Sequence, residues 1–130
     1  MAHSVLTAPM ATIGVPTEIK ADEQRVALTP DAVRELVTHG LEVRIQHGAG
    51  AGAGISDDAF ASAGARLVDR EEAWGAHLVV KVKEPQPEEF GLLRDDMVLF
   101  TYLHLAAYSK VGQALLDAGT TGVAYETVQL

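Results

Sequence analysis

The sequence predicts an α/β domain: a mostly parallel sheet with helices on both faces, a three-layer arrangement of the Rossmann-like or flavodoxin-like kind. Three observations carry that prediction. Short apolar segments alternate with capped or amphipathic segments along the chain, joined by short connections. The apolar segments are valine-rich, as strands covered on both faces are. Start and stop signals for helices bracket the segments between them.

Taken in order, "ATIGVPT" is a short apolar run closed by Pro16, the first strand. "EIKADEQRVAL" is polar and aperiodic, a loop. Thr29 and Pro30 open a helix as N-cap and first helical residue, and Gly40 stops it after Val33, Leu36 and Val37 at helical spacing. "LEVRIQ" alternates and is strand two; "HGAGAGAG" is a glycine loop. Ser56 caps the short helix "DDAFASAG", which Gly64 ends. "ARLV" is strand three, and Asp69 caps "REEAW". "HLVVKVK" is strand four, ending at Lys83. Pro85 and Pro87 break the chain before a weak helix, "EEFGLLR". "MVLFTYL" is strand five, delivering His104 at its end. "SKVGQALLDAG" is a helix with Val111, Ala114 and Leu115 on one side and Gly119 at its stop; "TTGVAYETV" is strand six. The chain stops at Leu130 with no helix to cover that strand, so it reads as truncated after the sixth strand, the first part of a longer protein.

Composition narrows the function. One hundred and thirty residues make one domain or most of one, and 48% hydrophobic content suffices for a core. No apolar run approaches the roughly 20 residues of a membrane helix. "MAHSVLTAPM" lacks the basic and apolar regions of a signal peptide, so residues 1–11 read as a flexible leader. There is no cysteine, hence no disulfide framework and no thiolate chemistry, which fits the cytoplasm. A formal net charge of -8 repels a phosphate backbone, so nucleic acid is not an expected partner. The acids are scattered over helix starts and turns, as solvated groups are.

The loop from Gly48 to Ala53 matches G-x-G-x-x-A between a strand and a helix, with Asp69 beyond it where a ribose-binding acid could stand. A Gly-Ala alternation matches such patterns by accident, however. The next helix waits for Ser56, too late for its N–H groups to meet a pyrophosphate at Gly48 and Gly50. The loop therefore reads as a turn of small residues against a neighbouring backbone, and no cofactor-binding residue is assigned.

In open α/β sheets, ligands bind outside the carboxyl ends of the strands. Strand one runs out into the loop carrying Arg25, strand four ends at Lys83 and strand five at His104. Taken singly, each has an ordinary reading: a solvated arginine, an edge lysine, a core histidine. Together they suit a small 2-oxo acid or amino acid. A guanidinium grips a carboxylate through two parallel bonds, an ammonium polarises a carbonyl, and an imidazole passes protons near neutrality. Lys81, one pleat before Lys83, reads as structural or rim. His3, His39, His47 and His77 receive no role. Metal ligation is not expected, since no second histidine or carboxylate comes at ligand spacing. No serine stands in a nucleophile-elbow context, which removes acyl transfer.

"IGVPTEIKADEQRVALTP", "LVVKVKEP", "LFTYLHLAA" and "AYETVQ" resemble, in that order, the amino-terminal part of bacterial alanine dehydrogenase. The likeness runs from about residue 12 to residue 130. The same domain type occurs in nicotinamide nucleotide transhydrogenase, which tends to lack the "KEP" and the histidine. The resemblance implies a partial substrate-binding domain over residues 12–130, in an enzyme that interconverts L-alanine and NAD with pyruvate, ammonia and NADH. It also implies that Arg25 holds the substrate carboxylate, that Lys83 contacts the substrate oxygens and that His104 is catalytic. NAD would be bound mainly by a domain not present in this chain, and the complete enzyme would be a homo-oligomer. The competing readings are a transhydrogenase domain that binds no amino acid and a non-enzymatic domain that senses an oxo acid.

Overall fold

The computed structural model describes residues 11–101 and 109–124. His104, residues 1–10 of the expected leader and the end of the expected sixth strand lie outside them. Among the described residues six strands form one sheet: β1 (Thr12–Val15), β2 (Glu42–Gln46), β3 (Arg66–Val68), β4 (Leu78–Val80), β5 (Val98–Thr101) and β6 (Thr121–Ala124). Every pairing is parallel and the order is β3-β2-β1-β4-β5-β6. Of the two arrangements left open by sequence, this is the Rossmann order.

The helices are α1 (Pro30–Thr38), α2 (Asp57–Ser62), α3 (Arg70–Trp74) and α4 (Ser109–Ala118). The three expected caps are in place. Thr29 Oγ1 accepts from Ala32 N–H at 3.2 Å, Ser56 Oγ from Ala59 at 3.1 Å and Asp69 Oδ1 from Glu72 at 2.8 Å. Each satisfies a donor that the first turn cannot.

Register sorts the core into two faces. Ile13 pairs with Val43 and Val15 with Ile45, so all four point to one side. There Val15, Val43 and Ile45 pack with Val33 of α1 and with Phe60 of α2. Gly14 pairs with Val79 and Val79 with Leu99, facing the other side. There Val79 and Leu99 pack with Trp74 of α3 and with Val111 and Leu115 of α4. Burying such side chains contributes about 1.5–3 kcal/mol each. Gly14 lets α3 lie directly on β1, because a Cβ at that position would overlap the Ala73 carbonyl.

Two elements differ from expectation. "HLVVKVK" is strand only to Val80. The Lys81 N–H still reaches Phe100 O at 3.0 Å, but the next two N–H groups turn away to a side chain of the β1 loop. The first five residues of "EEFGLLR" lie in a 3-10 segment, Pro87–Leu92, rather than an α-helix, and Leu93 is already extended. Pro87 opens it, and Glu89 N–H bonds back three residues to Gln86 O at 2.7 Å.

Candidate functional site

The chain crosses to one side of β1 for β2 and β3, and to the other side for β4 to β6. The carboxyl ends of β1 and β4 therefore flank the switch point, where such sheets hold ligands. The space holds a buried charge cluster. Glu18, three residues past β1, has a side chain 2% exposed. One oxygen accepts from Lys81 Nζ at 3.0 Å and from the Lys83 N–H at 3.1 Å; the other accepts from the Val82 N–H at 2.9 Å. Lys81 is buried between Glu18 and Glu89 Oε2, the latter at 3.6 Å, with its ammonium 5.9 Å from the Trp74 ring centroid. Of its two expected roles, burial leaves the structural one. Glu89 also accepts from the Gln86 N–H at 2.9 Å. Burial pushes the Glu89 carboxyl above its ordinary range, and the Lys81 charge offsets part of that. Nearby, Lys20 Nζ meets Glu84 Oε2 at 2.6 Å. Burial pushes the Glu84 carboxyl up, but hydrogen bonds from Lys20 and Gln86 outweigh it, and the group lies below its ordinary range.

Arg25 returns to this edge through a reverse turn. Glu23 N–H bonds to Lys20 O at 3.1 Å, with Asp22 in the left-handed region at φ 67°. The guanidinium then donates twice to one carboxylate: Nε to Glu23 Oε2 and Nη2 to Glu23 Oε1, both at 2.9 Å. The Arg25 backbone N–H adds a third bond to Oε2 at 2.8 Å. The acid is inside and the base outside, with side chains 6% and 64% exposed. The Arg25 side-chain hydrogen bonds hold the Glu23 carboxyl down to about 2, and the charge of Lys83 adds to the effect. The Glu23 carboxylate thus feels the charge of Arg25 first and, more weakly, that of Lys83. A cleft of about 430 Å³ opens at this edge, lined by Arg25, Val26, Thr29, Ile55 and Val82 among others. His104, the third expected member, lies outside the described residues.

The glycine loop has a packing explanation. A Cβ on Gly50 would meet Ile55 O and the Phe60 ring at 2.7 Å. One on Gly52 would strike the Gln24 side chain and come within 2.9 Å of its carbonyl. The small residues let this loop lie against the segment that carries Arg25. The Gly48 N–H donates to Asp57 Oδ1 at 2.9 Å, which puts a carboxylate where a pyrophosphate would need a bare donor. The residues of this loop do not fit a nucleotide cradle.

Among the described residues no group of three or more histidine, aspartate and glutamate side chains could hold a metal. None of the described helices is long and apolar enough to cross a membrane. Sequence reasoning misses Glu18 and Glu23. The available signal is position: Glu18 follows strand one at the binding edge, and Glu23 stands two residues before Arg25.

Strand order defines a Rossmann-type α/β domain, with a cleft beside its switch point. Residues 14–130 match the family model described as "Alanine dehydrogenase/PNT, N-terminal domain", and the chain belongs to that family. Alanine dehydrogenase of Bacillus subtilis (strain 168) is 53% identical over 117 residues, covering 89% of this chain and 31% of the relative. A solved L-alanine dehydrogenase superposes with a TM-score of 0.89 at 50% identity, covering 92% of this chain and 33% of that one. A transhydrogenase from Sinorhizobium meliloti gives 0.83 at 29% identity, covering 88% and 35%. The chain spans about a third of the length of the relatives it matches.

Proposed function

We propose that residues 12–130 are the substrate-binding part of an NAD-dependent L-alanine dehydrogenase, interconverting L-alanine, NAD and water with pyruvate, ammonia and NADH. One observation carries this reading: Arg25 grips a carboxylate with two parallel bonds, beside Lys83, at the switch point of the sheet. That is the chemistry a small 2-oxo acid requires. Arg25 holds the substrate carboxylate, and Lys83 places positive charge at the oxygen on C2, polarising the carbonyl of the 2-oxo acid towards addition of ammonia. His104 passes protons as the amine leaves and the carbonyl forms. When bound, mainly by another domain of the complete enzyme, NAD would supply the hydride chemistry. The complete enzyme is read as a cytoplasmic homo-oligomer. The higher identity to alanine dehydrogenases supports this reading over the transhydrogenase one.

The test is turnover in the complete enzyme, followed by NADH absorbance. Lys83→Ala and Arg25→Lys should each lower kcat/KM for alanine about ten- to hundredfold, since charge-assisted contacts contribute roughly 1.5–3 kcal/mol. Lysine should not rescue Arg25, because the fork is lost. Pyruvate turnover by Lys83→Ala within about twofold of wild type would place the substrate elsewhere.

A further inference from the structure

After β4 the chain holds its path without help from regular structure. Residues 82–86 belong to no helix or strand, yet of residues 81–85 all but Lys83 are buried. Side chains do the holding. On the near side of Lys83, Glu18 accepts the N–H groups of Val82 and of Lys83 itself, at 2.9 and 3.1 Å. On the far side, Lys20 Nζ donates to Glu84 Oε2 at 2.6 Å. Gln86 closes the segment, its Nε2 donating to Glu84 O at 2.9 Å and to Glu84 Oε2 at 3.2 Å. Lys20 is itself placed by the reverse turn, where its carbonyl accepts the Glu23 N–H at 3.1 Å.

Stability alone does not account for the Lys20–Glu84 pair. Hydrogen bonds hold the Glu84 carboxyl below its ordinary range although its side chain is 3% exposed. Burying that charge offsets much of what its partner contributes. Its other oxygen, Oε1, is buried with no hydrogen-bond partner among the described residues, which is a further penalty. What the pair does secure is the path of the chain next to Lys83.

We propose that Lys20 and Glu84 are a positioning pair: by gripping Glu84, Lys20 fixes the backbone on the far side of Lys83, as Glu18 does on the near side, and so sets where the Lys83 side chain stands at the substrate. This rests on the reading of Lys83 as a substrate-binding residue. Lys20 and Glu84 act through Lys83 and not on the substrate. The contact spans 64 positions and joins the loop after β1 to the segment after β4, so a shift of either is passed to Lys83. A displacement of about 1 Å at such a residue can lower activity about a hundredfold.

The test is steady-state turnover of alanine by the complete enzyme, with melting temperature measured alongside. Lys20→Met removes the charge and keeps the length. It should raise KM for alanine about tenfold and lower kcat less. Lys20→Arg keeps charge and reach, and its KM should stay within about threefold of wild type. Glu84→Gln should move KM in the same direction as Lys20→Met, and it decides the matter if Lys20→Met does not fold. A merely structural pair would shrink the active fraction, lowering apparent kcat and leaving KM unchanged. In a Lys83→Ala background Lys20→Met should change KM by less than about twofold, because its effect runs through the lysine already removed. Unchanged KM in both Lys20→Met and Glu84→Gln overturns the proposal. So does an effect of Lys20→Met that persists in full without Lys83. Either result leaves the substrate site standing if Lys83→Ala alone is impaired. A Lys83→Ala enzyme as active as wild type removes the substrate reading of Lys83 and this proposal with it.

Discussion

One oxygen of the Glu18 carboxylate accepts the backbone N–H of Lys83 at 3.1 Å, across 65 positions of sequence. The same oxygen takes the Lys81 ammonium, and its twin takes the Val82 N–H. The loop after β1 thereby fixes the path of the chain after β4 and fixes where Lys83 leaves the backbone. Glu18→Gln loses charge and one acceptor. It should cost about 1–3 kcal/mol in urea unfolding. In the complete enzyme it should raise KM for alanine more than it lowers kcat. Lower stability with unchanged KM would make Glu18 a clasp without influence on the site.

Glu89 should make stability depend on pH. Its folded carboxyl titrates above its ordinary value, because burial disfavours its charge. Between the unfolded and folded values the folded state binds more protons, so stability falls as pH rises through that window. Glu89→Gln keeps an acceptor for the Gln86 N–H and escapes the penalty. It should melt higher than wild type near neutrality, and the gap should close as pH falls below the unfolded value. Melting curves from about pH 4 to about pH 8 decide it. A gap that widens in acid would mean the carboxylate is stabilising.

Gly14→Ala should be among the most damaging small substitutions in the domain. The added methyl would meet a backbone carbonyl of α3, which cannot rotate away. Overpacking typically costs about 1–3 kcal/mol, and more where backbone must move. Gly91→Ala is the control: a methyl added there would have nothing within 4 Å. It should stay within about 0.5 kcal/mol of wild type.

His104→Gln separates chemistry from packing in the complete enzyme. A proton shuttle is typically worth about 10²–10⁴-fold in rate. The expected result is a similar melting temperature, at least about a hundredfold lower turnover, and one ionisation missing from the pH profile. An unstable but fully active variant would assign the histidine to the core.

Fluorescence titration of the 130-residue chain with NADH should show no saturable binding. The glycine loop is packed against its neighbours, and Asp57 already holds the Gly48 N–H. Saturable micromolar binding would restore the loop as a nucleotide site.

The helix caps are legible in the sequence because their causes are local: Thr29, Ser56 and Asp69 each bond three residues onward. Strand order is not, since alternation and valine content say nothing about which strand neighbours which. Arg25 and Lys83 can be placed at one edge because parallel strands share a carboxyl end. Glu18 and Glu23 share that edge by position, but their residue type argues against burial, because carboxylates in polar loops are ordinarily solvated. The burial of Glu18 is set by partners 63 to 65 positions away, beyond any local pattern. The early end of β4 has the same origin, as Glu18 withdraws the N–H groups that would have continued the ladder.

The central place of β1 in the sheet also orders events in synthesis. Residues up to the end of β3 carry their own packed cluster around Val15, Ile45 and Phe60, so that half can collapse while the rest is still being made. Glu18 must wait for Lys81, 63 positions later, which at ribosomal speed is roughly 3 to 13 seconds. Through that interval one side of β1 is an open edge with an unmatched acid beside it. The nascent half can thus pack before Glu18 has its partner, and the Glu18–Lys81 contact forms only once β4 has docked.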